Sequence, residues 1–240
     1  LTNPPASIVL YLAYGSNLCA ATFQGSRSIR PLSAVPVRVP DLTLTFTLPG
    51  IPYVEPCFAN VVRRGSASKE LVGVVYEISR ADYEHVIATE GPTYEVFEAT
   101  CTTLPASTAS SSSGAVTFLA HTLLAPPSPF RPSTYAPHPS LRYINLLRLG
   151  AAEHALPAAW QTYLAGLPHY EARTRGQRVG RVVFIVLWGP VMLTSLLVRR
   201  ILPKAGQGAM KWILAKVFGG MWWSYDWVFK PVFGEGERAI

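Results

Sequence analysis

Two short stretches of the sequence hold residue types suited to acyl chemistry. The first, Tyr11-Leu12-Ala13-Tyr14-Gly15-Ser16-Asn17-Leu18, passes within two residues from an apolar run to a small and polar one. Gly15 frees the backbone to turn at a strand end, and Ser16 or Asn17 is a good cap for a short helix that follows. Such a turn gathers backbone N–H groups at one point, where they bind an anion or a developing oxyanion. The same residues also build ordinary turns that hold no ligand. The second stretch, Ala88-Thr89-Glu90-Gly91-Pro92-Thr93-Tyr94, places Glu90 at the C-terminal end of an expected helix. The negative pole of the helix dipole favours a protonated carboxyl there, which suits a half-buried Glu90 to general-base work near neutral pH. A solvated last-turn glutamate is the plain alternative.

The elements that must position these residues are short. Runs at 8–14, 42–48, 58–62, 71–78, 94–101 and 116–124 are β-branched, aromatic or strictly alternating and are bounded by Pro and Gly, which predicts strands. The fold class is α+β: a small mixed β-barrel or sheet with flanking helices, followed by an apolar helical C-terminal tail. One helix is expected over 80–89, where Ser79 and Asp82 resemble a capping box and Gly91 would close the C-terminal end. Others follow Ser140 over 141–149 and start at Pro157, a residue suited to a first turn, running to Leu164. Residues 106–114 form a low-complexity connection, and six prolines between 125 and 140 exclude a helix there.

The 240 residues are 49% hydrophobic, ample for a packed core, and divide sharply by charge. Residues 1–170 carry ten Lys/Arg against ten Asp/Glu, whereas 171–240 carry eleven against four. The expected organisation is a catalytic domain over 1–170 and a basic, Trp-rich tail over 171–240. Cys19, Cys57 and Cys101 match neither a metal-ligand spacing nor a small disulfide framework, and they read as buried thiols of a cytosol-facing protein. The five histidines show no ligand-like spacing and no phosphate-binding Gly-rich loop is present, so neither a metal nor a cofactor is expected.

In register, these motifs resemble the gamma-glutamylcyclotransferases. The carriers are YLAYGSNL, the Glu90-Gly91 pair after the strand-like Gly73-Val-Val-Tyr76, and Tyr143-Ile-Asn-Leu-Leu-Arg-Leu-Gly-Ala151 followed by Leu156-Pro157. The resemblance covers about residues 8–170 and implies an enzyme that closes a gamma-glutamyl group onto its own α-amino nitrogen, releasing 5-oxoproline and an amine. By position it implies a substrate cradle at Tyr11, Leu12, Ala13, Tyr14, Gly15, Ser16 and Asn17, a proton-transferring Glu90, and pocket tyrosines Tyr94 and Tyr143. One tyrosine of the family pattern is replaced, with Thr122 in its approximate place. The implied substrates are a small gamma-glutamyl peptide, an amine or a glutathione-derived conjugate, as in the family members of fungal secondary-metabolite pathways. A catalytically silent ligand-binding protein, recruited by its tail, is the other reading.

The tail lies outside the resemblance. Residues 182–198 are uncharged, framed by Arg178 and Arg181 before and Arg199, Arg200 and Lys204 after. At 1.5 Å per residue this run extends about 26 Å, slightly short of a hydrocarbon core. Five of the six tryptophans lie in the tail, as befits a membrane interface. The flanking charges suit a segment that enters and returns on the cytosolic side, with Gly189-Pro190 as its bend. Lys211, Lys216 and Asp226 interrupt 210–229, which suits an interfacial helix. Membrane association through 182–198 and 210–229 is expected, on the cytoplasmic face; a helical hairpin packed on protein in a soluble cytoplasmic chain is the alternative. Nucleic acid is not an expected partner, because the basic residues surround apolar runs.

Overall fold

The computed structural model describes residues 8–90, 94–104, 115–128, 131, 136–201 and 207–239. The expected Gly91 cap and the 106–114 connection lie outside them. Seven strands form: β1 (Ile8–Ala13), β2 (Ser33–Val39), β3 (Leu42–Ile51), β4 (Glu55–Arg63), β5 (Leu71–Ser79), β6 (Glu95–Thr103) and β7 (Thr117–Leu124). Five of them close a barrel in the order β1-β5-β2-β6-β7, while β3 and β4 form a separate two-stranded sheet. The barrel is mixed because β7 returns to β1 in parallel, with Tyr11 opposite His121, while the other pairs are antiparallel. Leu12, Val37, Val39, Leu71, Val74, Ile78 and Cys101 are buried.

β2 was not among the expected strands, because Pro36 sits in its middle. Proline removes one ladder donor and is tolerated where pairing is incomplete. The β2–β6 ladder here covers only Val37–Thr103 and Arg38–Thr102, beginning beyond the proline.

α1 (Arg80–Glu90) starts as the capping box predicts: Ser79 Oγ accepts the Asp82 N–H at 3.1 Å and donates to its carboxylate at 2.7 Å. α2 (Leu141–Glu153) buries Tyr143, Ile144, Leu147, Gly150 and Ala151, one stripe at helical spacing. α3 (Ala158–Gly166) follows Pro157.

By contacts the chain falls into two compact units, each discontinuous in sequence. The first comprises Leu1–Leu48, Phe58–Pro127 and Arg142–Leu167 and contains the barrel with α1 to α3. The second comprises Pro49–Cys57, Ser128–Leu141 and Pro168–Ile240, so the tail shares a unit with two earlier segments that the 1–170 and 171–240 division assigns elsewhere.

Within the second unit, α4 (Arg175–Ile201) and α5 (Gln207–Ser224) are followed by a π-helical turn (Tyr225–Phe229) and α6 (Lys230–Phe233). Phe184, Met221, Trp222, Tyr225 and Phe229 from these elements join Tyr53 and Tyr170 in a largely aromatic core. Trp188 packs beside it and donates its indole N–H to Ser224 Oγ at 3.0 Å. The chain does not turn back at Gly189-Pro190 as expected. α4 runs through Pro190 to Ile201, and Thr194 and Ser195 donate hydroxyl bonds to the carbonyls of Pro190 and Val191, four residues back. Asp226, which breaks the second apolar run, is paired with Arg131 at 2.8 Å, and that guanidinium stacks over Trp222 at 3.7 Å.

Candidate active site

The end of β1 and the end of α1 meet at one solvent-open cavity with about 310 Å³ of empty space. Its wall is Tyr11, Tyr14, Gly15, Ser16, Asn17, Ala59, Glu90, Tyr94, Leu123 and Tyr143. Eight of the ten residues singled out from the sequence therefore gather in one place. Leu12 and Ala13 do not line it. Leu12 points to the opposite face of β1 from Tyr11, where it is fully buried, and the single methyl of Ala13 is buried short of the cavity. Thr122 is also buried and off the wall; its hydroxyl donates to the Leu12 carbonyl at 2.9 Å.

The Gly-Ser-Asn knot folds as a 3-10 turn, Ser16–Leu18, closed by Leu18 N–H to Gly15 O at 3.0 Å and Cys19 N–H to Ser16 O at 3.1 Å. The first N–H groups of such a turn have no partner within it. Neither Ser16 nor Asn17 caps the turn through its side chain, contrary to the expectation. Space is tight at position 15: a Cβ there would lie 3.2 Å from the Tyr143 hydroxyl and 3.4 Å from the Ala59 Cβ.

Asn17 is buried and turns its amide to the site instead. Its Nδ2 donates to the Tyr11 hydroxyl at 2.9 Å and to Glu90 Oε1 at 2.8 Å. The Tyr143 hydroxyl accepts the Ala59 N–H at 3.1 Å, Tyr94 donates to the Ala59 carbonyl at 3.4 Å, and Tyr14 donates to the Leu123 carbonyl at 2.5 Å. Burial, followed by the charge of Glu90, raises the Tyr11 phenol well above its ordinary range. Tyr14 and Tyr94 rise for the same first reason, reinforced by neighbouring tyrosines. All three stay neutral hydroxyls at physiological pH; Tyr14 and Tyr94 give their protons to the Leu123 and Ala59 carbonyls, and Tyr11 accepts from Asn17.

Sequence reasoning missed Arg27. It follows a π-helical turn, Ala21–Ser26, that no periodic pattern announces. Its guanidinium reaches Asn17 Oδ1 at 2.8 Å, Thr89 Oγ1, and Glu90 Oε1 at 2.5 Å. The expectation for Glu90 rested on the helix dipole and partial burial; the folded chain also sets a cation against that carboxylate. A partly buried glutamate asks for such a partner, and that demand was the one signal available.

Comparison with known proteins accounts for nearly the whole chain. It is 31% identical over 256 residues to the gamma-glutamyl cyclotransferase gliK of Aspergillus fumigatus, covering 97% of this chain and 90% of that protein. It is 29% identical over 253 residues to the gamma-glutamyl cyclotransferase aclK of Aspergillus oryzae, covering 96% and 90%. A solved gamma-glutamyl cyclotransferase structure superposes with a TM-score of 0.55 at 21% identity, over 70% of this chain and 93% of that one, which shows the shared fold. Residues 174–232 match the family model of the AclK C-terminal domain. The tail, which the sequence reading left outside any resemblance, is thus shared with these fungal relatives. On these grounds the chain belongs to the gamma-glutamyl cyclotransferase family.

Proposed function

We propose that this protein cyclises the gamma-glutamyl group of a small peptide, amine or glutathione-derived conjugate to 5-oxoproline, with Glu90 as general base and then general acid. The supporting observation is that the Glu90 carboxylate and the Gly15–Asn17 turn border the same cavity, joined by the 2.8 Å bond from Asn17. The α-amino nitrogen is nucleophilic only when neutral, so Glu90 takes its proton first. That nitrogen then attacks the gamma-carbonyl carbon, forming the ring C–N bond. The amide C–N bond to the leaving group breaks as Glu90 returns that proton to the departing nitrogen, and the ring nitrogen then sheds its second proton through Glu90 to the released amine, leaving the lactam N–H. Ring closure is intramolecular, so holding the substrate in a bent pose supplies much of the acceleration. The first N–H groups of the turn and the neutral hydroxyl of Tyr11, which accepts from Asn17 and has its own proton to give, are the donors proposed for the substrate carboxylate and the oxyanion.

A screen of gamma-glutamyl amides scored for 5-oxoproline tests this reading. Stoichiometric release of 5-oxoproline and free amine is expected from at least one of them. Saturable binding without turnover across the panel would instead establish a silent binding protein.

We propose further that the tail rests on the cytoplasmic face of a membrane, in the plane of an anionic bilayer surface. The outward side of α4 exposes Val182, Val186, Leu193 and Leu197, and Trp212, Trp223 and Trp227 are 64%, 63% and 72% exposed. Lys216 lies over the Trp212 ring at 5.4 Å, with its charge free to meet headgroups. The eleven basic residues of 171–240 are complementary to anionic lipid. Lys216, midway along α5, argues against a second span. The full chain should float with phosphatidylserine vesicles and show blue-shifted tryptophan emission. A chain that stays at the bottom of the gradient, whether monomeric or self-associated, rules the proposal out.

A further inference from the structure

The polar contacts of the Glu90 carboxylate are all on one side. Arg27 Nη2 and Asn17 Nδ2 both donate to Oε1, at 2.5 Å and 2.8 Å, and no hydrogen bond to Oε2 is seen among the described residues. The guanidinium is a donor only, so its bond to Asn17 Oδ1 decides which end of that amide faces Arg27. The NH2 end is thereby turned to Tyr11 and Glu90. A third donor reaches the neighbouring Thr89 hydroxyl, which fixes the arginine to the last turn of α1 itself. Arg27 and Glu90 are 15% and 18% exposed, so the pair is largely screened from water, and Arg27 does not belong to the cavity wall.

From this arrangement we infer that Arg27 is a positioning residue that holds Glu90 by Oε1 and leaves Oε2 as the oxygen that exchanges protons with the substrate. The inference rests on the reaction proposed above. A guanidinium suits the task because it stays charged throughout the working pH range and so orients the base without acting as a competing acid. Its planar fork reaches three acceptors on two separate chain segments at once. A lysine is a point charge on a flexible stem and would hold one of them at a time.

The test compares Arg27→Ala and Arg27→Lys with the wild type in 5-oxoproline release. Because Arg27 acts on the base and not on the substrate, kcat for Arg27→Ala should fall about 100-fold with KM changed by less than about threefold. Arg27→Lys should lie between. Added guanidinium chloride should restore part of the Arg27→Ala rate while equal sodium chloride does not, a response that a merely structural arginine would not give. Melting temperatures of Arg27→Ala, Glu90→Gln and the double variant give a readout independent of turnover, and the two changes should be non-additive. An active wild type with an equally active Arg27→Ala, guanidinium acting as plain salt, or strictly additive melting shifts overturns the inference. A wild type that releases no 5-oxoproline removes the proposed reaction, and the melting cycle then decides the clamp by itself.

Discussion

Replacing Gly150 by alanine sets two contributions of opposite sign against each other. In a helix interior alanine is favoured over glycine by about 1 kcal/mol, so propensity alone would strengthen α2. A Cβ at this position, however, would lie 2.5 Å from both the carbonyl carbon and the Cβ of Leu18 and 2.7 Å from the Cys19 nitrogen. Carbon atoms pack at roughly 3.5–4.0 Å, so the overlap is about 1 Å, most of it against backbone. Overpacking of this kind costs about 1–3 kcal/mol and exceeds the gain in propensity. At roughly 2–4 °C per kcal/mol for a chain of this size, the variant should melt a few degrees below the wild type. The backbone that must yield belongs to the turn carrying Ser16 and Asn17, and a shift of about 1 Å in positioning groups is worth about 100-fold in rate. Calorimetry and a 5-oxoproline release assay should therefore show a modest loss of stability beside a much larger loss of kcat/KM. A Gly150→Ala variant that melts at or above the wild type with undiminished turnover would refute this reasoning.

Two further changes probe the frame around the cavity. Tyr143→Phe strips the acceptor from the buried Ala59 N–H and should cost about 1–3 kcal/mol in chemical denaturation; an unchanged midpoint would mean that the bond contributes nothing. His154 is held below its ordinary value of 6.5, chiefly by burial, beside the Tyr76 hydroxyl at 2.8 Å. The unfolded imidazole takes up a proton that the folded one refuses, so stability is full above about pH 6.5 and falls as pH drops below it. His154→Gln should flatten the fall in melting temperature between about pH 7 and pH 5, and an unaltered slope would acquit this residue.

Four of the five barrel strands and the capped start of α1 were legible because each rests on local pattern, whereas the meeting of the Gly-Ser-Asn knot with Glu90 was expected only through the family resemblance. β-branched alternation marks a strand wherever its partners lie, and Ser79 with Asp82 marks a helix start without tertiary context. β2 was hidden by Pro36, whose tolerance depends on a ladder that only the folded barrel reveals. Reading Tyr11 to Ser16 as one continuous cradle neglected strand alternation, which sends Leu12 into the core. Arg27 was out of reach because its three partners lie on two segments, and nothing in its own neighbourhood requires them. The tail misled through Gly189-Pro190. The pair reads as a bend, yet α4 continues through Pro190 as a single helix.

The most direct test is Glu90→Gln, assayed with the best gamma-glutamyl substrate from the screen. Glutamine keeps the size of the side chain and an oxygen for Arg27 and Asn17 but cannot carry the proton. Loss of a positioned acid–base group should lower kcat by about 100-fold to 10,000-fold, with substrate affinity by calorimetry within roughly threefold of the wild type. A Glu90→Gln protein that still forms 5-oxoproline at the wild-type rate would contradict the account at its centre.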